Sequence, residues 1–141
     1  MSIVYYNVKL SDVLPRLRRV LESDSRVKIA VVFGSILKGG LVRDVDVAVY
    51  TDPPLELKEL LLLGDELERA VGVPVDLVPL CEVEPKLQYN ILMKGLPIIV
   101  RDEDLYNKLA LQALGQMQDL GIKVRQELKH SLQRRSGGSK N

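Results

Sequence analysis

The chain has 141 residues, 46% hydrophobic and 28% charged, with 20 Lys and Arg against 19 Asp and Glu for a net charge of +1. That balance fits one ordinary globular domain large enough for its own core. It excludes the strongly basic footprint needed to bind bulk nucleic acid, and no apolar run approaches the roughly 18 residues of a membrane span.

Cys81 is the single cysteine, which excludes an internal disulfide. It fits a reducing compartment and reads as a small core residue without a catalytic role. The N-terminus shows no basic region followed by an apolar core, so the expected location is cytoplasmic.

In chain order, Ser2 to Lys9, with Tyr5 and Tyr6, reads as an edge strand or arm. Ser11 or Asp12 can cap a helix with Pro15 in its first turn. Leu14, Leu17, Val20 and Leu21 follow at helical spacing. Arg26 to Phe33 is rich in β-branched residues and reads as a buried strand. Gly34 to Gly40 is a turn, and Arg43 to Tyr50 a second strand. Asp52-Pro53-Pro54 opens a helix to about Val71, with Leu57, Leu60, Leu61, Leu67 and Ala70 as its core stripe and Gly72 at its C-terminal end.

Pro74 to Leu80 reads as a third strand, whose proline favours a strand end or sheet edge. Glu84-Pro85 begins a helix through Lys94, and Leu96 to Val100 is a fourth strand. Asp102 caps a last helix from Glu103 to about Leu132. Its stripe of Leu105, Leu109, Leu114, Met117, Leu120, Val124 and Leu128 outlasts so small a domain, so Val124 to Leu132 is a candidate contact surface. The domain is expected over residues 1–133, with 134–141 as a flexible polar tail. Strands alternating with helices define an α/β fold around a small sheet.

Two stretches carry the chemistry. Val31 to Gly40 is an apolar run broken at Gly34-Ser35, followed by Arg43-Asp44-Val45-Asp46-Val47-Ala48-Val49. Alternate strand side chains share a face, so Asp44 and Asp46 fall on one side and Val45, Val47 and Val49 on the other. Asp76 repeats the anomaly among Val73, Val75, Leu77 and Val78. Carboxylates in otherwise apolar strands are costly unless a cation offsets them. Hard oxygen ligands suit magnesium. Gly34-Ser35 is equally an ordinary turn or a phosphate-binding turn. Lys38 reads evenly as a phosphate-neutralising or solvent-facing lysine. Arg43 can reach a phosphate or pair with an aspartate. His130, near a helix end, reads as a surface residue.

Gly34-Ser35, Lys38-Gly39, Asp44-x-Asp46 and Asp76 together resemble the signature of the DNA polymerase beta nucleotidyltransferase superfamily. Within it the chain resembles the minimal nucleotidyltransferases (MNT) paired with HEPN-domain proteins in toxin–antitoxin modules. The resemblance extends to about residue 130. It implies a palm-like fold with a mixed sheet flanked by helices and a long C-terminal helix. It also implies two Mg2+ ions held by Asp44, Asp46 and Asp76, and ATP as donor with its phosphates on Gly34, Ser35 and Lys38. Asp76 can additionally act as general base. The implied reaction is AMP transfer to a hydroxyl, that of a tyrosine on a cognate HEPN RNase toxin, within a homodimer or hetero-oligomer.

Two departures accompany the resemblance. The Gly39–Asp44 stretch is shorter than the family usually shows, and Arg43 stands where a serine commonly precedes the first aspartate. They favour an alternative in which the chain is an antitoxin or binding subunit acting by steric complex formation. A third reading is a small-molecule nucleotidyltransferase. No residue identified in the sequence reads the nucleotide base.

Overall fold

The computed structural model describes the backbone of residues 3–139, and side chains over that range except those of Leu120, Val124 and 134–139. Four strands form the central sheet: β2 (Val27–Phe33), β4 (Val45–Thr51), β5 (Val75–Pro79) and β6 (Leu96–Val100), in the order β5-β4-β2-β6. β4 and β5 run parallel and the other neighbours antiparallel, so the sheet is mixed. A separate antiparallel pair joins β1 (Tyr6–Asn7), in the N-terminal arm, to β3 (Leu41–Val42). Four helices complete the fold: α1 (Leu10–Glu22), α2 (Leu57–Val71), α3 (Pro85–Lys94) and α4 (Glu103–Ser139).

The helices cover both faces of the sheet. On one face Val13, Leu17 and Leu21 of α1 and Leu63, Leu67 and Val71 of α2 pack with Ala30, Val32, Val45, Val47 and Val49. On the other, Ile91 and Leu92 of α3 and Leu109 and Ala113 of α4 pack with Ile29, Val31 and Ala48. Strand alternation makes this division, and a sheet covered twice must be apolar on both sides. β2 is accordingly buried along most of its length. β5, the strand preceded by Pro74, lies at the edge as its proline requires. Among the described residues no helix is long and apolar enough to cross a membrane.

Several expected details change. α1 begins at Leu10 with Lys9 as its N-cap, so neither Ser11 nor Asp12 caps it and Pro15 lies inside the helix. The Asp12 and Val13 amides instead bond the Lys9 carbonyl at 3.0 and 3.1 Å. α2 starts at Leu57 rather than at the prolines. Pro54 holds Pro53 in extended backbone, and the first favourable start is Glu56, which shares a capping box with Glu59. Arg26 pairs with both Glu59 and Asp24, tying this start to the strand β2.

The phase of α2 also differs from expectation. Leu57 and Leu61 are 72% and 63% exposed; Leu67 faces the core as expected, joined by Leu63 and Val71. Four consecutive leucines, Leu60 to Leu63, fit more than one helical phase, and packing against α1 selects this one. Gly72 closes the helix with φ 77°, as a left-handed C-terminal glycine does. Cys81 is exposed rather than in the core, because its neighbour Leu80 takes the inward position.

In α4 the Asp102 carboxylate accepts from the Leu105 amide at 3.0 Å, and the Tyr106 hydroxyl donates to the Leu92 carbonyl at 2.6 Å, fastening α4 to α3. Core contact is confined to its first three turns. Among the described residues none after Ala113 is buried, and Leu114 and Leu128, placed in the core stripe by their spacing, are 38% and 60% exposed. The helix continues to Ser139, past the end expected near Leu132. Lys140 and Asn141 of the expected tail lie outside the described residues.

The packing predicts a sharp contrast between two leucines. Leu17→Ala removes a side chain that is 0% exposed and is expected to cost about 2–5 kcal/mol. Leu61→Ala, on the outer face of α2, is expected to stay within about 0.5 kcal/mol of the parent. Urea unfolding midpoints of the two variants measure the difference.

Candidate active site

The acidic site sits at the end of the sheet where β2 finishes and β4 and β5 begin. In the parallel pair Asp46 stands opposite Asp76, and in the antiparallel pair it stands opposite Phe33. Val45, Val47 and Val49 belong to the core on the α1–α2 side. The alternation therefore turns Asp46, and Asp76 beside it, toward the α3–α4 side. Asp44 lies one residue before β4, not within a strand as its spacing suggested. The reason is local: Leu41 and Val42 pair with the N-terminal arm, and the chain bends at Arg43 before the ladder starts. The Val45 amide donates to the Pro74 carbonyl at 2.9 Å, fixing the segment between the two aspartates against the start of β5.

The result is convergence. One carboxylate oxygen from each of Asp44, Asp46 and Asp76 lies within 4.8 Å of the others. Asp44 and Asp46 are half-buried and Asp76 is exposed. Burial, then the charges of Asp44 and Asp76, and a hydrogen bond with Asp44, push the Asp46 carboxyl up to about 6. A carboxylate in that state lacks a counter-charge, and Arg43 does not supply one. Arg43 is exposed, and among the described residues the ion pairs are those of Arg26.

The donor set fits magnesium. Oxygens bound at about 2.1 Å to one octahedral ion sit about 3–4 Å apart, so this cluster needs only small side-chain rotations to share one or two ions.

Gly34 closes this end of the sheet. Its φ of 86° lies in the left-handed region, and a Cβ there would collide with Asp46 Oδ2. Glycine is therefore required twice, for backbone conformation and for the carboxylate's approach. A 3-10 turn, Ser35–Lys38, follows.

Gly34, Ser35 and Lys38 line one wall of a cavity of about 500 Å³, with Asn90 and Lys94 of α3 on the other. The structure thus groups the residues expected in the turn and places them beside the acidic cluster through Gly34. Asn90 and Lys94 did not emerge from the sequence. The only trace is their i, i+4 spacing, which puts both on one side of α3 together with Leu87 and Ile91. His130 is exposed on α4, away from the core.

The family described as polymerase beta, nucleotidyltransferase matches residues 16–104. No curated protein sequence matches significantly. Among solved structures, the chain resembles one from a crystal structure of the toxin–antitoxin MntA-HepT, with 18% identity and TM-score 0.66, covering 85% of this chain and 97% of that one. It also resembles a chain from a crystal structure of the toxin–antitoxin with AMP-PNP, at 20% identity and TM-score 0.69, covering 84% and 98%. A third is from the tri-AMPylated HEPN toxin of Shewanella oneidensis in complex with MNT antitoxin, at 18% identity and TM-score 0.67, covering 85% and 96%. At these identities the likeness is one of fold.

The electrostatics predict a pH signature in the metal-free protein. The folded-state value of Asp46, about 6, exceeds its ordinary 3.8. Its contribution to stability is thus fully present below about 4 and is lost as pH rises through about 6. Asp24 and Glu59 are shifted the opposite way, by their bonds to Arg26 and to the Glu56 amide respectively. The signature is therefore read as the difference between wild type and Asp46→Asn in chelator, where those slopes cancel. The melting temperature of wild type is expected to fall relative to the variant across pH 4–6, and added Mg2+ to raise wild type more at pH 7.5 than at pH 5. Gly34→Ala, forced against Asp46, is expected to cost about 1 kcal/mol or more in the same melting experiment.

Proposed function

The chain belongs to the polymerase beta nucleotidyltransferase family, and from that premise we propose that it is a magnesium-dependent protein adenylyltransferase that moves AMP from ATP to a hydroxyl of a HEPN-domain partner. The observation that carries the reading is the convergence of Asp44, Asp46 and Asp76 within 4.8 Å beside the Gly34 turn. The shortened Gly39–Asp44 stretch is compatible with it, since its residues form β3 and the three carboxylates still meet. The partner and its modification by AMP are supported by the complexes this chain resembles in fold, one of which holds an AMPylated HEPN toxin with an MNT antitoxin; a tyrosine as the acceptor is what the family resemblance implies.

In this reading Asp44, Asp46 and Asp76 would hold the metal, and Asp76, the most exposed of the three, also faces the acceptor. Bound Mg2+ supplies Lewis-acid neutralisation of the phosphate charge and acidifies the acceptor hydroxyl. Gly34 lets the backbone approach the phosphates, Ser35 offers a hydroxyl donor and Lys38 a positive charge. Asp76 accepts the acceptor proton as the oxygen attacks the α-phosphorus, and pyrophosphate leaves. Most of the acceleration comes from fixed positions and charge. The exposed apolar residues of the distal α4, Leu128 and Leu132, offer a surface on which such a partner can dock.

The test is transfer of label. The protein and its co-purifying partner are incubated with α-labelled ATP and Mg2+, beside an Asp44→Ala/Asp46→Ala variant. Label on the partner with wild type alone is the expected result, and mass spectrometry then locates the modified side chain. Absence of label, with the variant still binding and neutralising the partner, replaces this reading with the steric one.

A further inference from the structure

The chain carries five tyrosines, all among the described residues. Four have a place in the packing. Tyr6 packs against the core on the α1–α2 side, and Tyr50, Tyr89 and Tyr106 against the core on the other side. The Tyr106 hydroxyl is also engaged, donating to the Leu92 carbonyl. Tyr5 joins neither core and is 55% exposed. Packing does not account for a tyrosine there.

Register and alternation place it. β1 is antiparallel to β3, with Tyr6 opposite Val42 and Asn7 opposite Leu41. The chain directions oppose, so Tyr5, the residue before Tyr6, lies toward Arg43 and Asp44, the residues after Val42. Neighbouring strands are about 5 Å apart, within the span of a tyrosine side chain. Val42 belongs to the α1–α2 core and Tyr6 packs against the same cluster, while Leu41 is 63% exposed. Tyr5 therefore turns away from that core. Asp46 and Asp76 turn away from it as well. The one exposed tyrosine thus stands beside the acidic cluster, on the side to which the cluster opens. Ile3 and Val4 are each 58% exposed, so no core contact fixes the arm ahead of Tyr6.

We propose that Tyr5 is an acceptor for the chain's own transfer reaction, an intramolecular adenylylation site. This inference rests on the adenylyltransferase reading and adds an acceptor within the chain. The Tyr5 Oη attacks the α-phosphorus of ATP. The new oxygen–phosphorus bond forms as the bond from the α-phosphorus to the bridging oxygen breaks, and pyrophosphate leaves with that electron pair. The hydroxyl proton passes to the Asp76 carboxylate, which has the same task for an external acceptor. The product is a phosphodiester, with AMP on the phenolic oxygen. A hydroxyl tethered beside the cluster is present at high effective concentration and needs no separate docking step.

The test is self-labelling. The purified chain, without partner, is incubated with α-labelled ATP and Mg2+, and the label is located by digestion and mass spectrometry. The expected result is AMP on Tyr5, lost in Tyr5→Phe and retained in Tyr6→Phe, which keeps its ring packed. The rate per molecule is expected to be independent of protein concentration. A mixture of Tyr5→Phe with the Asp44→Ala/Asp46→Ala variant is expected to stay unlabelled, because the intact site and the intact Tyr5 are then on different molecules. Label undiminished in Tyr5→Phe, or label on the Tyr5-bearing chain of the mixture, overturns the proposal. The co-purifying partner is offered to wild type in a parallel reaction. Label on the partner with none on Tyr5 overturns the proposal and leaves the adenylyltransferase reading standing, whereas label on neither overturns both.

Discussion

Everything at the working end of this chain depends on a repulsion. Three carboxylates are held together by strand register, two of them half-buried, with no basic side chain among them. Charges so placed destabilise the fold until a cation or a proton offsets them, and the raised Asp46 carboxyl is the measure of that. The scaffold is built to withstand it. β2 and β4 are packed on both faces by aliphatic side chains, and the ladder bonds from Val45 to Pro74 and along β4–β5 leave Asp46 and Asp76 no room to drift apart. Rigidity on this scale is what a metal-assisted transfer needs, because the attacking and leaving oxygens must be held rather than found.

The legible part of the chain was the part whose residues carry their own geometry. Alternation in Val45-Asp46-Val47 fixed which face each side chain takes, proline placed β5 at the edge, and Glu84-Pro85, Gly72 and Asp102 marked helix ends by their backbone chemistry. What stayed illegible was decided at a distance. The run Leu60 to Leu63 has apolar side chains on every side of its helix turn, so only the position of α1 selects Leu63 rather than Leu61 as core. The stripe on α4 continues past Ala113 in sequence, yet its main packing partner is α3, a helix of only ten residues. Asp44 looked like a strand residue because nothing local announced that the N-terminal arm would claim Leu41 and Val42.

The acidic site shows the same division. Asp44, Asp46 and Asp76 stood out because carboxylates are anomalous among valines, and Gly34 because it interrupts an apolar run. Asn90 and Lys94 are unexceptional residues on an amphipathic helix. Only the return of α3 to the Gly34 end of the sheet, through the Val32–Leu96 pairing of β2 with β6, brings them to the cavity. Cationic and amide groups at a site are hard to find in sequence because they are ordinary on any surface, whereas buried carboxylates are not.

The charge pattern of the assembled end has a further consequence. The carboxylates occupy the side formed by β4 and β5, and the lysines occupy the side formed by the turn and α3. Neither half can satisfy the other directly, since no ion pair joins them among the described residues. A metal ion alone offsets the carboxylates and leaves the lysines without a counter-anion. A polyphosphate alone offsets the lysines and meets the carboxylates as like charge. The complex of the two would satisfy both. On the proposed reading, a metal ion and a nucleoside triphosphate would each raise the affinity of the other, and by the same factor.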